Sequence, residues 1–135
     1  NPIKYWENNV IGSINLIQKM AEYNCKTIVF SSSATVYGNA SDKLISESAK
    51  VNPINPYGKS KLAAEDELLE LNKSPKNSVN IFRFPGVFGK WCRPNYNSVV
   101  ATFCYQIIHN KEIKIIKNVK RHSTKLMNVH SENGL

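Results

Sequence analysis

Residues 27–38 read TIVFSSSATVYG, and residues 55–62 read NPYGKSKL. The first segment opens with a β-branched and aromatic run, which predicts a strand buried on both faces, as in parallel sheets. Its serines then fall at the carboxyl end of the strand, where ligands bind in an open α/β sheet. In the second segment Pro56 can start a helix, and Tyr57 and Lys61 would share one face of it. The sequence therefore predicts a hydroxyl-rich strand end and a Tyr/Lys pair at a helix start.

Helices and strands alternate along the rest of the chain. Apolar spacing predicts helices at about 3–23, 56–72 and 98–109, and short apolar runs predict strands at about 79–84 and 113–116. This order is typical of a doubly wound α/β sheet. Residues 118–135 show little periodicity, so no element is predicted there. Two sets of side chains are predicted in the second and third helices: a solvated acidic face of Glu65, Asp66, Glu67 and Glu70, and inward-pointing Val99, Val100, Phe103 and Ile107.

Composition narrows the class of protein. The 135 residues are 41% hydrophobic, no apolar run approaches the roughly 18 residues of a membrane span, and no signal-peptide pattern is present. We therefore expect a cytoplasmic protein that does not contact membranes. Cys25, Cys92 and Cys104 form no Cys-x-x-Cys pair, so buried free thiols are expected. The sequence contains no cluster of metal ligands, so no metal site is predicted. It also contains no Gly-x-Ser-x-Gly motif, so a hydrolase with a Ser/His/Asp triad is not predicted.

The chain is strongly basic, with 18 Lys and Arg against 10 Asp and Glu and a net charge of +8. Such an excess can attract nucleic acid or an anionic small molecule such as a sugar diphosphate. Several of the late lysines alternate with isoleucines, which is typical of an edge strand with a solvated face. No nucleic-acid-binding motif accompanies them, so we expect no nucleic-acid partner.

The two opening segments, together with residues 8–13 (NNVIGS), resemble the extended short-chain dehydrogenase/reductase family, the NAD-dependent epimerases and dehydratases of nucleotide-sugars. The order and separation of the motifs match, and the likeness is greatest to the UDP-glucose 4-epimerases. The resemblance implies a Rossmann-type, doubly wound parallel sheet. Residues 1–85 would belong to the dinucleotide-binding domain, and residues 86–135 would begin the nucleotide-sugar-binding region. It also implies NAD as cofactor, with NADP left open, a UDP-sugar substrate and a homodimer.

The same resemblance implies roles for individual residues. The catalytic residues would be Ser33, Tyr57 and Lys61. The cofactor-binding residues would be Asn8, Ser31, Tyr57, Lys61 and Phe84, and the substrate-binding residues Ser33, Thr35, Tyr57 and Asn97.

The chemistry of this set follows from its titratable groups. A phenol titrates near ~10 in water, and a lysine charge one helical turn away would favour the phenolate. Tyr57 could then take the proton of a sugar hydroxyl while Ser33 hydrogen-bonds to the reacting oxygen.

Three features depart from the 4-epimerases. The glycine-rich dinucleotide loop is missing, so we expect the chain to be an internal piece of a longer protein that is inactive by itself. Gly86 stands where those epimerases carry an asparagine that reaches the substrate. Residues 88–104 instead resemble a bacterial reductase of a UDP-linked 4-keto-hexulose that acts in capsular polysaccharide synthesis. A 4-epimerase is the expected function, with that reductase and a catalytically inactive remnant as alternatives.

Overall fold

The computed structural model describes residues 1–39, 45–96 and 98–113, together with the backbone of residues 128–130. The helices are α1 (Pro2–Trp6), α2 (Gly12–Glu22), α3 (Pro56–Asn72) and α4 (Val99–Ile108), and the strands are β1 (Thr27–Ser33), β2 (Ser78–Phe84) and β3 (Asn128–His130). A π-helical turn (Glu7–Ile11) joins α1 to α2, and a 3-10 turn (Ala34–Tyr37) follows β1. No helix in the described part of the chain has the length and apolar character needed to cross a membrane.

The predicted helix over residues 3–23 is confirmed as helical backbone but contains the π-helical turn. The side-chain oxygen of Asn1 accepts a hydrogen bond from the Ile3 N–H at 3.1 Å and caps the start of α1. Within the π-helical turn Asn9 offers its carbonyl to the Ser13 hydroxyl at 2.6 Å. Such turns are rare and commonly occur at functional sites.

The parallel pairing expected for an α/β sheet is confirmed. Strands β1 and β2 run parallel from Thr27 opposite Ser78 to Ser33 opposite Phe84, and α3 connects them. Strand β3 pairs antiparallel with the other edge of β2, giving the order β1-β2-β3 among the described strands. Both parallel strands therefore end at the same edge of the sheet.

The sequence predicts that β1 is buried on both faces, but the structure shows only one face buried. Ile28 and Phe30 pack against the helices in the same cluster as Leu68, but Val29 on the opposite face is 68% exposed. The reason is that α2 and α3 cover only one face of the strand within the described residues.

Strand β2 and helix α3 supply most of the core. Val79 and Ile81 alternate inward along β2 and pack against Leu68 of α3. Truncating a leucine buried in this way typically costs about 2–5 kcal/mol. A second cluster forms around Val36 and Tyr37 of the 3-10 turn.

The predicted acidic face of α3 needs one correction. Asp66, Glu67 and Glu70 are exposed as expected, but Glu65 has no exposed surface. Glu65 falls on the same stripe of the helix as Ala64 and Leu68, which turns it toward the strands.

The chain divides into two units, one containing residues 1–85 with β3 and one beginning at residue 86 and containing α4. In the second unit Ser98 caps α4 by accepting a hydrogen bond from the Ala101 N–H at 3.2 Å. Val100 and Ile107 were predicted to point inward but are exposed, and the described part of the second unit contains no other helix or strand that could cover them. The strand predicted at residues 113–116 lies outside the described residues beyond Ile113, which is not in a strand.

The cysteines also differ from the prediction of buried thiols. Cys25 and Cys104 are exposed and Cys92 is half-buried. Cys25 lies in the connection between α2 and β1, and Cys104 lies on the solvent side of α4, so neither faces a core.

Candidate active site

The first turn of α3 has the geometry that the sequence predicts. Pro56 occupies the first turn, and the Asn55 side chain accepts a hydrogen bond from the Gly58 N–H at 2.7 Å. A Cβ atom at Gly58 would lie 2.8 Å from the Thr35 carbonyl oxygen. The absence of a side chain at Gly58 therefore lets the start of α3 approach the turn that follows β1, and this places Tyr57 beside the strand end.

The strand end and the helix start meet through Lys61. Its ammonium group donates a hydrogen bond to the Ser31 carbonyl at 2.9 Å. The Lys61 nitrogen also lies 5.0 Å from the centroid of the Phe30 ring and 6.0 Å from that of the Tyr57 ring. The structure thus brings together the three residues predicted to be catalytic, Ser33, Tyr57 and Lys61.

Ser33 is oriented by its neighbour Thr35. The Ser33 hydroxyl oxygen accepts hydrogen bonds from the Thr35 N–H at 3.3 Å and from the Thr35 hydroxyl at 3.0 Å. Both lone pairs of that oxygen are then in use, which leaves the Ser33 proton to be donated. A hydrogen bond joins Ser33 to Tyr57, and the direction of donation makes the phenol oxygen the acceptor.

Burial sets the direction in which the pKa values of Tyr57 and Lys61 shift. Burial raises the pKa of Tyr57, while the hydrogen bond from Ser33 opposes that rise and the nearby Tyr5 adds to it. Burial lowers the pKa of Lys61, and Glu65 opposes that change. The pKa of Tyr57 therefore shifts upward, opposite to the shift expected from the Lys61 charge, and the phenol is protonated at neutral pH.

Among the other residues predicted to bind cofactor or substrate, Ser31 contacts Lys61 through its carbonyl and Thr35 contacts Ser33. Phe84 lies opposite Ser33 in the sheet register and stacks on Phe82 with 5.8 Å between ring centroids. Ser31 is exposed, and Asn8 is exposed in the π-helical turn. Asn97 lies outside the described residues. The roles of these residues stay predictions.

The sequence reasoning missed two contacts between the amino-terminal helix and the start of α3. The Tyr5 ring packs edge-to-face on the Tyr57 ring with centroids 5.4 Å apart. The Asn9 amide donates to the Ser60 hydroxyl at 2.9 Å, and Ser60 donates to the Tyr57 carbonyl at 2.8 Å. The separation of Tyr5 and Asn9 by four residues, on one helical face, was the available signal.

A buried ion pair behind the site was missed as well. The Glu65 carboxylate accepts hydrogen bonds from Nη2 of Arg83 at 2.6 Å, from Nε of Arg83 at 3.1 Å and from the Ser32 hydroxyl. Nη1 of Arg83 donates to the Tyr37 hydroxyl at 2.9 Å. Burial alone would lower the pKa of Arg83, but the hydrogen bonds with Glu65 and Tyr37 outweigh it and raise the pKa. Arg83 continues the inward alternation of Val79 and Ile81, and that parity could have revealed it.

Comparison with known proteins identifies the family of this chain. Residues 1–123 match the NAD dependent epimerase/dehydratase family. The chain belongs to this family.

Two enzymes with different activities are similar to this chain in sequence. A UDP-glucose 4-epimerase of Pisum sativum is 42% identical over 85 residues, which cover 62% of this chain and 24% of that protein. A UDP-2-acetamido-2,6-beta-L-arabino-hexul-4-ose reductase of Pseudomonas aeruginosa is 50% identical over 78 residues, covering 58% of this chain and 21% of that protein. The chain thus spans about a quarter or less of the length of these relatives.

A solved member of the family has the same fold. The UDP-N-acetylglucosamine 4-epimerase of Methanobrevibacter ruminantium, determined in complex with UDP-N-acetylmuramic acid, superposes with a TM-score of 0.79 at 29% identity. The superposition covers 85% of this chain and 38% of that protein. The incomplete Rossmann-type fold predicted from the sequence is confirmed.

Proposed function

We propose that the complete protein is an NAD-dependent nucleotide-sugar 4-epimerase that acts on a UDP-sugar. The observation that carries the proposal is the meeting of Ser33, Tyr57 and Lys61 at the carboxyl end of a parallel strand. Membership of the NAD dependent epimerase/dehydratase family and the likeness to UDP-sugar 4-epimerases support it. A cytoplasmic homodimer is part of the same proposal.

The proposed chemistry divides proton and cofactor handling among the three side chains. The positive ring of bound NAD would add to the charge of Lys61 and favour the phenolate of Tyr57. The phenolate would then take the proton from the sugar 4-hydroxyl and return it at the end of the reaction, while Ser33 would turn its hydrogen bond from Tyr57 to the reacting oxygen. NAD, when bound, supplies a positively charged ring that accepts a hydride from the same carbon and can return it to the other face. Lys61 commits one N–H to the Ser31 carbonyl, and its remaining N–H groups suit the hydroxyls of the cofactor ribose.

The residues of this chain fit only the nicotinamide end of the cofactor. The donor set at Lys61 and the strand end suits a ribose and a ring, whereas the sequence contains no glycine-rich loop for the diphosphate. We propose that residues of the complete protein outside this chain bind the diphosphate.

The decisive assay uses the complete protein and UDP-galactose without added NADPH, with UDP-glucose as the product measured. Tyr57→Phe should bind NAD with unchanged affinity and lose at least about a hundredfold in turnover, because the general base is gone. Lys59→Met, at an exposed position in the same helical turn, serves as the control and should retain wild-type turnover. A fully active Tyr57→Phe enzyme would contradict the proposal.

The 50% identity to the hexulose reductase favours that activity as a second candidate. The same cluster serves it, with Tyr57 donating a proton to the keto oxygen instead of removing one. Consumption of NADPH in the presence of a UDP-linked 4-keto-hexulose, without conversion of UDP-galactose, would select the reductase. A complete protein that neither turns over these sugars nor binds NAD would be an inactive remnant.

A further inference from the structure

Three consecutive residues at the end of β1 each contact a different turn of α3. Ser33 hydrogen-bonds to Tyr57, the Ser31 carbonyl accepts from Lys61 at 2.9 Å, and the Ser32 hydroxyl donates to Glu65. The helix residues are spaced by four, so they line one face of α3. The first two contacts belong to the proposed catalytic residues, and the third belongs to a residue with no assigned role.

Glu65 is the most constrained of these groups. Its side chain is fully buried, and Arg83 of β2 holds its carboxylate from the other side through Nε and Nη2. The carboxylate therefore bridges β1 and β2 next to the sheet edge where Ser33 and Phe84 lie opposite each other.

Burying a carboxylate at this position carries a large desolvation cost. Replacing a buried ion pair with apolar side chains of similar volume is often neutral or stabilising, and Glu65 lies on the same stripe as the apolar Ala64 and Leu68. Apolar packing alone fixes the distance between a helix and a sheet but only weakly fixes rotation about the helix axis. Directional hydrogen bonds to a carboxylate fix that rotation as well.

We propose that Glu65 is a positioning residue that holds the face of α3 bearing Tyr57 and Lys61 in register with Ser33, acting through Ser32. Glu65 lies one turn beyond Lys61 and two turns beyond Tyr57, so rotation of α3 about its axis would displace all three together. This role rests on the proposed function of the cluster.

The most direct test is Ser32→Ala in the complete protein, because it removes the link to β1 and leaves the Glu65–Arg83 ion pair in place. The turnover number for UDP-galactose should fall about tenfold, less than the roughly hundredfold that a 1 Å misplacement can cost, with KM changed less than twofold. The hydrogen bond from Ser33 lowers the pKa of Tyr57, and Ser32→Ala should weaken that bond. The acidic limb of the pH–rate profile, on which turnover rises as Tyr57 loses its proton, should therefore shift to higher pH.

Asn72→Ala is the matched control for a purely structural effect. The Asn72 side chain accepts a hydrogen bond from the Val79 N–H at 3.0 Å and anchors the far end of α3 to the start of β2. This variant should lower the melting temperature at least as much as Ser32→Ala but leave the pH–rate profile and turnover number unchanged. The inference is overturned if Ser32→Ala lowers only the melting temperature, or if both variants shift the profile equally.

A titration that needs no substrate separates this inference from the proposed function. Tyrosines labelled with 13C at Cζ can be titrated by NMR in the complete protein, with Tyr57→Phe identifying the resonance of Tyr57. An upward pKa shift of Tyr57 in Ser32→Ala, absent in Asn72→Ala, supports positioning by Glu65 even if the wild-type protein epimerises no UDP-sugar. An unchanged titration in Ser32→Ala refutes positioning by Glu65 even in an active epimerase.

Discussion

Glu65 and Asp66 are neighbours on α3, yet they differ in environment. Glu65 is buried and paired with Arg83, whereas Asp66 is exposed. Partial burial is the largest effect that raises the pKa of Asp66. The charges of Glu65 and Glu67 add to the rise, and the charge of Arg83 opposes it. Ionised Asp66 therefore works against folding, because the folded protein holds its proton more tightly than the unfolded chain does.

This asymmetry predicts that Asp66→Asn stabilises the complete protein by a few tenths of a kcal/mol at neutral pH, roughly the size of one surface charge interaction. The stabilisation by Asp66→Asn should vanish as the pH falls through the raised pKa of Asp66 toward its ordinary value of 3.8. At still lower pH the carboxyl is protonated in both the folded and the unfolded protein. Thermal unfolding between pH 3 and pH 8 would measure it. Glu22→Gln, which removes an acid paired with Lys19, should give no stabilisation. A wild-type advantage at neutral pH would contradict the prediction.

At the scale of elements, two glycines in helical backbone are expected to respond oppositely to alanine. At Gly58 a Cβ would lie 2.8 Å from the Thr35 carbonyl oxygen, whereas at Gly12 a Cβ would lie at an ordinary 3.7 Å from the Glu7 carbonyl oxygen. Gly58→Ala should therefore push α3 away from the 3-10 turn and reduce both stability and turnover. Gly12→Ala should stabilise the protein by up to about 1 kcal/mol, the usual cost of glycine inside a helix.

Melting temperatures and turnover of both variants in the complete protein would check this pair of expectations. Equal destabilisation by the two substitutions would show that the close approach at Gly58 does not matter. Wild-type turnover in Gly58→Ala would lead to the same conclusion about the placement of Tyr57.

The elements also show which parts of the structure could be predicted from sequence. Helix α3 was predicted over the observed residues because a proline at its start and a periodic apolar stripe define it locally. The π-helical turn was missed because apolar spacing along the chain predicts a helix but does not reveal one turn of different helical geometry within it. The meeting of Ser33, Tyr57 and Lys61 followed from one strand end and one helix start. The Glu65–Arg83 pair joins residues on separate elements, and only the parity of Arg83 along β2 pointed to it.

At the scale of the whole molecule, the sheet is only partly covered by the residues that the structure describes. Val29 of β1 is 68% exposed, and Ile3 and Ile11 in the same unit are 64% and 53% exposed.

We therefore predict that these 135 residues, expressed alone, show no epimerase activity and bind NAD weakly or not at all. The lack of a glycine-rich loop removes the main contacts to the cofactor diphosphate. Calorimetric titration with NAD and the UDP-galactose assay, run beside the complete protein, would check both statements. Turnover by the isolated chain would contradict the prediction.

The contacts between the three serines of β1 and the face of α3 also constrain how this segment can change in length. Each residue added to an α-helix rotates everything beyond it by about 100°. A single inserted residue between Tyr57 and Lys61 would turn Lys61 and Glu65 away from the strand, and a deletion would do the same in the other sense. Descendants of this gene can therefore exchange exposed side chains in this segment, such as Lys59, but an insertion or deletion between residues 57 and 65 would remove the site in one step.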